Sequence, residues 1–111
     1  MIYLDNAATT RPCPAALDAM RTALEDDWGN PSALYRPGQQ ARKLVEDARR
    51  TVARVLHAAR PAEITFTSGG TESDVQALYT GAALGAAAGK RHIISTQIEH
   101  HAVLHTLQAL Q

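Results

Sequence analysis

Between Ile64 and Asp74 the chain reads Ile-Thr-Phe-Thr-Ser-Gly-Gly-Thr-Glu-Ser-Asp, a stretch whose residue types suit the holding of an anion. The β-branched and aromatic run from Ile64 to Thr67 predicts a short buried strand. Ser68, Gly69 and Gly70 break that run with small residues that turn sharply and let a ligand approach the backbone. From Thr71 the apolar period becomes helical, with Val75, Leu78, Tyr79, Ala82 and Ala86 on one side. Unpaired N–H groups at the start of such a helix, together with the positive end of its dipole, favour a phosphate. The stretch is not a Walker A loop, because no lysine follows the glycines, and it lacks the spacing of a dinucleotide fingerprint. A structural βα turn fits the same letters, with Thr71 as N-cap and Asp74 answering it three residues on. Local spacing leaves both readings open. Glu72 and Asp74 are expected on the outer side of the first turn, where they favour the dipole and do not oppose a phosphate.

A second group of chemically capable side chains is Glu99, His100, His101 and His105. His100 follows an expected strand, at the carboxyl edge where open α/β sheets bind ligands. A helix-capping or solvent-facing histidine is the plainer alternative. His101 and His105 are four apart and can share a helix face. With no His-Glu-x-x-His pattern and no cysteine ligand nearby, no metal site is expected. The single cysteine, Cys13, lies between two prolines, permits no internal disulfide and is expected to be inert.

The elements that must position these groups alternate in type. Ile2 to Leu4 is an expected strand, followed by the small-residue run Asn6 to Thr10. A helix starting near Pro14 has Ala16, Leu17, Met20, Ala23 and Leu24 for a buried side. Trp28-Gly-Asn-Pro-Ser32 is a loop that is expected to pack on something, since a Trp beside Gly-Asn-Pro is unusual for a purely solvated turn. The clearest helix runs from Gly38 to about His57, with Ala41, Leu44, Val45, Ala48, Val52, Val55 and Leu56 in one stripe. Gly89 is a natural stop for the next helix, His92 to Ser95 reads as a strand, and a last helix opens at His100 or His101. This order predicts an α/β fold with a mainly parallel sheet, incomplete in a chain of this size.

Acidic and basic residues number 11 each, so no nucleic-acid surface or polybasic membrane patch is implied. No apolar run reaches transmembrane length, and the amino terminus has no signal-peptide pattern. A soluble, cytoplasmic protein is the expectation.

Four separated motifs resemble one family. Tyr3-Leu-Asp-Asn-Ala-Ala-Thr-Thr10, Gly29-Asn-Pro-Ser32, Ile64 to Ser73 and Glu99-His-His-Ala-Val103 match, in order and spacing, the amino-terminal part of cysteine desulfurases. These are class V aminotransferase-fold enzymes dependent on pyridoxal 5′-phosphate. The resemblance covers essentially residues 1–111 and implies the amino-terminal portion of a fold-type I transferase, a homodimer when full length. It places the family's phosphate-binding pair on Gly70 and Thr71, and its ring-stacking, proton-moving histidine on His100. Asn6, Ala7, Thr9 and Asn30 resemble positions on the substrate side. The implied reaction converts L-cysteine to L-alanine, with sulfur passed to an enzyme cysteine as a persulfide and on to an acceptor protein.

Two parts of that machinery have no counterpart here. Neither Lys43 nor Lys90 matches the family's cofactor-holding lysine, and Cys13 does not match its sulfur-accepting cysteine. The 111-residue chain is therefore expected to be inactive alone. Tyr35 stands where many relatives have histidine, which leaves selenocysteine lyase as an alternative within the class. A non-catalytic binding or assembly module is the alternative outside it.

Overall fold

The computed structural model describes residues 2–111. Four α-helices occur among them: α1 (Pro14–Glu25), α2 (Arg36–Val55), α3 (Gly70–Ala87) and α4 (His101–Ala109). A 3₁₀ turn, Pro61–Glu63, follows α2. The chain forms two compact units, Met1–Ile64 and Thr65–Gln111.

In the first unit, α1 opens with Pro14 in its first turn, where the missing N–H costs no hydrogen bond. The expected buried side of α1 is not buried: Leu17, Met20 and Leu24 are all exposed. Helix α2 begins two residues before the expected Gly38 and keeps its amphipathic stripe in part: Ala41 is buried and Val45 and Val52 half-buried, Leu44, Ala48, Val55 and Leu56 are exposed, and Ala53, outside that stripe, is buried. It packs on the 3₁₀ turn. Arg49, paired with Glu46, also donates to the Ile64 carbonyl. Glu63 accepts from the Ala59 N–H at 3.2 Å and from Arg60 Nε at 3.3 Å, closing the connection.

The Gly29–Ser32 loop is held by backbone proximity. A Cβ on Gly38 would lie 2.6 Å from both the Asn30 and Ala33 carbonyl oxygens, and one on Gly29 would lie 2.4 Å from the Pro37 carbonyl oxygen. Only glycine allows these approaches. The Asn30 side chain accepts from the Ser32 N–H at 2.9 Å, and its carbonyl accepts from the Ala33 N–H at 2.9 Å. The loop does pack, as expected, but through Gly29 on the backbone at Pro37, while Trp28 itself is 74% exposed.

In the second unit α3 packs against α4. Asp74, Val75, Leu78, Ala82 and Gly85 are the half-buried positions of α3, at helical spacing, while Tyr79 and Ala86 from the expected stripe are exposed. On α4, Ala102 and Thr106 are buried, and the Thr106 hydroxyl donates to the Ala102 carbonyl at 2.6 Å.

The expected parallel sheet is absent among the described residues. Segments 2–4, 64–67 and 92–95 have no helix and no strand pairing. A helix closes its hydrogen bonds locally, whereas a strand needs a neighbouring strand to take up its backbone groups. Their apolar side chains stay correspondingly open, Ile2 at 87% and Ile94 at 88%.

Candidate functional site

The anion-competent turn lies at the head of α3. Its N-cap is Gly69, and Gly70 is the first helical residue. This corrects the expectation that Thr71 would cap with Asp74 in answer. The residue that closes the turn is Glu72. Its carboxylate accepts from the Ser68 amide N–H at 2.7 Å and from the Ser68 hydroxyl at 2.6 Å. Those two bonds hold its pKa below the usual 4.5, the hydroxyl bond contributing most and burial opposing weakly. Glu72 was expected on the outer side of the turn; it folds back over Ser68 instead.

A second clasp fixes the peptide between Gly69 and Gly70. The Gly69 carbonyl accepts from the Ser73 N–H at 3.1 Å, the Ser73 hydroxyl at 3.2 Å and the Thr67 hydroxyl at 3.1 Å. The two hydroxyls also meet at 2.6 Å. In a trans peptide the N–H points opposite to the C=O. With the carbonyl drawn into the helix, the Gly70 N–H faces away from it. The amides of Gly70 and Thr71 precede the first intrahelical bond, which Ser73 makes to Gly69. A Cβ on Gly69 or Gly70 would meet nothing within 4 Å, so the space beside these two glycines is open. The outward N–H groups, the positive helix end and the Thr71 hydroxyl one residue on suit a phosphate, while the Glu72 carboxylate on Ser68 sets a negative charge at the same turn. The Thr67–Ser73 clasp was not foreseen, although two hydroxyl residues flanking a glycine turn six apart are its sequence sign.

His100 is the N-cap of α4, and its Nδ1 accepts from the Ala102 N–H at 3.1 Å. The plainer sequence reading, a capping histidine, therefore describes its backbone role. Because Nδ1 acts as acceptor, the neutral ring carries its proton on Nε2. The ring stays exposed and meets the His101 ring edge to face, with centroids 6.2 Å apart. Thr96 Oγ1 donates to Glu99 at 2.8 Å and steadies the approach to the cap.

Gly70, Thr71 and His100 thus belong to one unit, on the heads of two helices that pack together. Asn6, Ala7, Thr9 and Asn30 belong to the other. There, residues 5–9 make a tight turn, with the Ala8 N–H on the Asp5 carbonyl at 3.1 Å, and Asn30 spends its side chain on its own loop. A cleft of about 720 Å³ in the second unit, lined in part by Tyr79, Ala82, Lys90, His92 and Leu110, includes none of the candidate residues. The candidate site is an open turn. Among the described residues no three His, Cys, Asp or Glu side chains converge as a metal cage, and no helix is long and apolar enough to cross a membrane.

The chain is 46% identical over 110 residues to the putative cysteine desulfurase IscS 1 of Bacillus subtilis (strain 168), covering 99% of this chain and 28% of that protein. It is 46% identical over 113 residues to the IscS-like cysteine desulfurase of Mycobacterium tuberculosis (strain ATCC 25618 / H37Rv), covering 99% of this chain and 28% of the relative. Among solved structures it is similar to a NIFS-like protein, with a TM-score of 0.84 and 42% identity over 95% of this chain and 28% of that one. The chain spans about 28% of the length of these relatives. The profile of class-V aminotransferases matches residues 2–111, and the chain belongs to that family.

Proposed function

We propose that this chain is the cofactor-phosphate-holding portion of a cysteine desulfurase that uses pyridoxal 5′-phosphate. The observation that carries the proposal is the Ser68–Thr71 turn at the head of α3, with its carbonyl clasped inward and its amides outward. The N–H groups of Gly70 and Thr71 and the Thr71 hydroxyl bind the phosphate. Glu72, held on Ser68, keeps the turn closed. His100 lies against the cofactor ring and moves a proton at Nε2, while its Nδ1 stays fixed on the Ala102 N–H. Pyridoxal phosphate, when bound, supplies an electron sink that loosens the Cβ–sulfur bond of L-cysteine. The full protein brings a lysine to hold the cofactor and a cysteine to take the sulfur as persulfide, leaving L-alanine. Asn6, Ala7, Thr9 and Asn30 line the substrate side. Segments 64–67 and 92–95 enter a mainly parallel α/β sheet in the complete fold-type I domain. The complete protein works as a cytoplasmic homodimer that hands sulfur to an acceptor protein, supplying iron–sulfur clusters or thio-cofactors.

The test is chemical. Incubated with the cofactor and L-cysteine, the full-length protein is expected to release L-alanine in step with persulfide-bound sulfur. Turnover of L-selenocysteine but not L-cysteine would replace the desulfurase reading with a lyase, and turnover of neither would leave a binding module.

A further inference from the structure

One face of α4 carries a pair of side chains that the reading above does not use. His101 and His105 stand one turn apart and are both exposed, with ring centroids 5.3 Å apart and ring planes inclined at 46°. Packing occupies another side of the helix, where Ala102 and Thr106 are buried and Val103 and Leu107 half-buried. The two imidazoles are therefore neighbours on the open side.

We propose that His101 and His105 form a bidentate site for a borderline divalent transition-metal ion, taken up in the order copper(II) before nickel(II) or zinc(II). Neutral imidazole suits these ions, and copper(II) heads their affinity order. The geometry is close to ready. Two imidazoles bound side by side at metal–nitrogen distances of about 2.0–2.1 Å set their ring centres roughly 4.5–5.2 Å apart. The 5.3 Å spacing comes within a small rotamer adjustment of that range. The backbone that fixes the pair is already helical, so binding orders only two side chains. Of the neighbouring groups, His100 meets the His101 ring edge to face at 6.2 Å but has its Nδ1 on the Ala102 N–H, and Glu99 accepts from Thr96. Water completes the coordination, which makes the site open and exchangeable. It goes beyond the cofactor reading and does not depend on it.

The probe is copper(II) chloride added to the protein, read by titration calorimetry and by the nitrogen splitting of the copper electron-paramagnetic-resonance signal. Binding at the pair with splitting from two ring nitrogens is expected. His101→Gln and His105→Gln should each weaken binding about 100-fold, since either change turns a chelate into a single contact. Glutamine is a good helix former, so α4 should persist in both variants, which circular dichroism verifies. His92→Gln, away from the pair, should leave the affinity as it was. Unchanged affinity and unchanged splitting in the His101 and His105 variants would overturn the proposal, as would a loss caused by His92→Gln instead.

Discussion

On the proposed reading His100 combines two duties on one ring. Nδ1 holds the first turn of α4 through Ala102, while Nε2 and the ring faces are left for chemistry. The duties separate by substitution. His100→Asn preserves a capping acceptor, so stability should change by only a few tenths of a kcal/mol, whereas His100→Ala removes the cap and should cost about 1 kcal/mol. Both should depress turnover of the full-length enzyme alike. Turnover that followed stability, with Asn active and Ala inactive, would reduce His100 to a cap. Glu72 offers a pH test. The Ser68 hydroxyl and amide N–H lower its pKa from 4.5. A folded-state value below the unfolded one stabilises the turn above the unfolded value, and that support disappears as pH falls through the folded value. The Ser68 amide resonance should therefore titrate with a midpoint below 4.5, and Glu72→Gln should abolish the titration. A midpoint at or above 4.5 would mean that the carboxylate is not held on Ser68.

At the scale of elements, two helices end in the same way with different residues. After α3, Gly89 sits at φ 75° and the Lys90 N–H reaches back to the Gly85 carbonyl at 2.8 Å. After α2, His57 sits at φ 55° and the Ala58 N–H reaches back to the Ala53 carbonyl at 2.9 Å. Both are left-handed helix stops, a conformation that glycine adopts without strain. A side chain there costs about 1–2 kcal/mol, partly offset by glycine's larger unfolded-state entropy. His57→Gly should therefore raise stability by roughly 0.5–1 kcal/mol in urea denaturation; a loss would show that the His57 side chain contributes more than its strain. Gly38→Ala should go the other way. Its Cβ would press on the Asn30 and Ala33 carbonyls, and overpacking of that kind costs about 1–3 kcal/mol. An unchanged denaturation midpoint would mean that the loop moves away freely. The Gly89 stop was legible because glycine after an apolar period has one obvious use. The end of α2 near His57 was legible too, but not its left-handed form, since nothing in a histidine's identity announces a positive φ. The Gly29–Gly38 approach was equally hidden: it depends on two backbones meeting, which spacing alone does not encode.

Across the whole molecule, helices were legible and the core was not. Periodicity located α2 and α3 closely, because a helix is decided by neighbours in sequence. The strands were read from composition alone, and composition cannot supply the partner strand that makes an extended segment a sheet. No large side chain is fully buried among the described residues, which is why stripes such as Leu17, Met20 and Leu24 found no cover. The glycine turn at the head of α3 and the capping histidine were better marked, since both rest on local backbone geometry. The central claim is that the outward amides at the head of α3 and the Thr71 hydroxyl hold the phosphate of the cofactor. It is tested most directly by the ratio of affinities for pyridoxal 5′-phosphate and pyridoxal, measured on the full-length protein and on Thr71→Val. Losing a hydroxyl bond to a charged group, worth roughly 1.5–3 kcal/mol, should cut the preference for the phosphorylated ligand about tenfold or more and leave pyridoxal binding unchanged. An unaltered ratio would contradict the account.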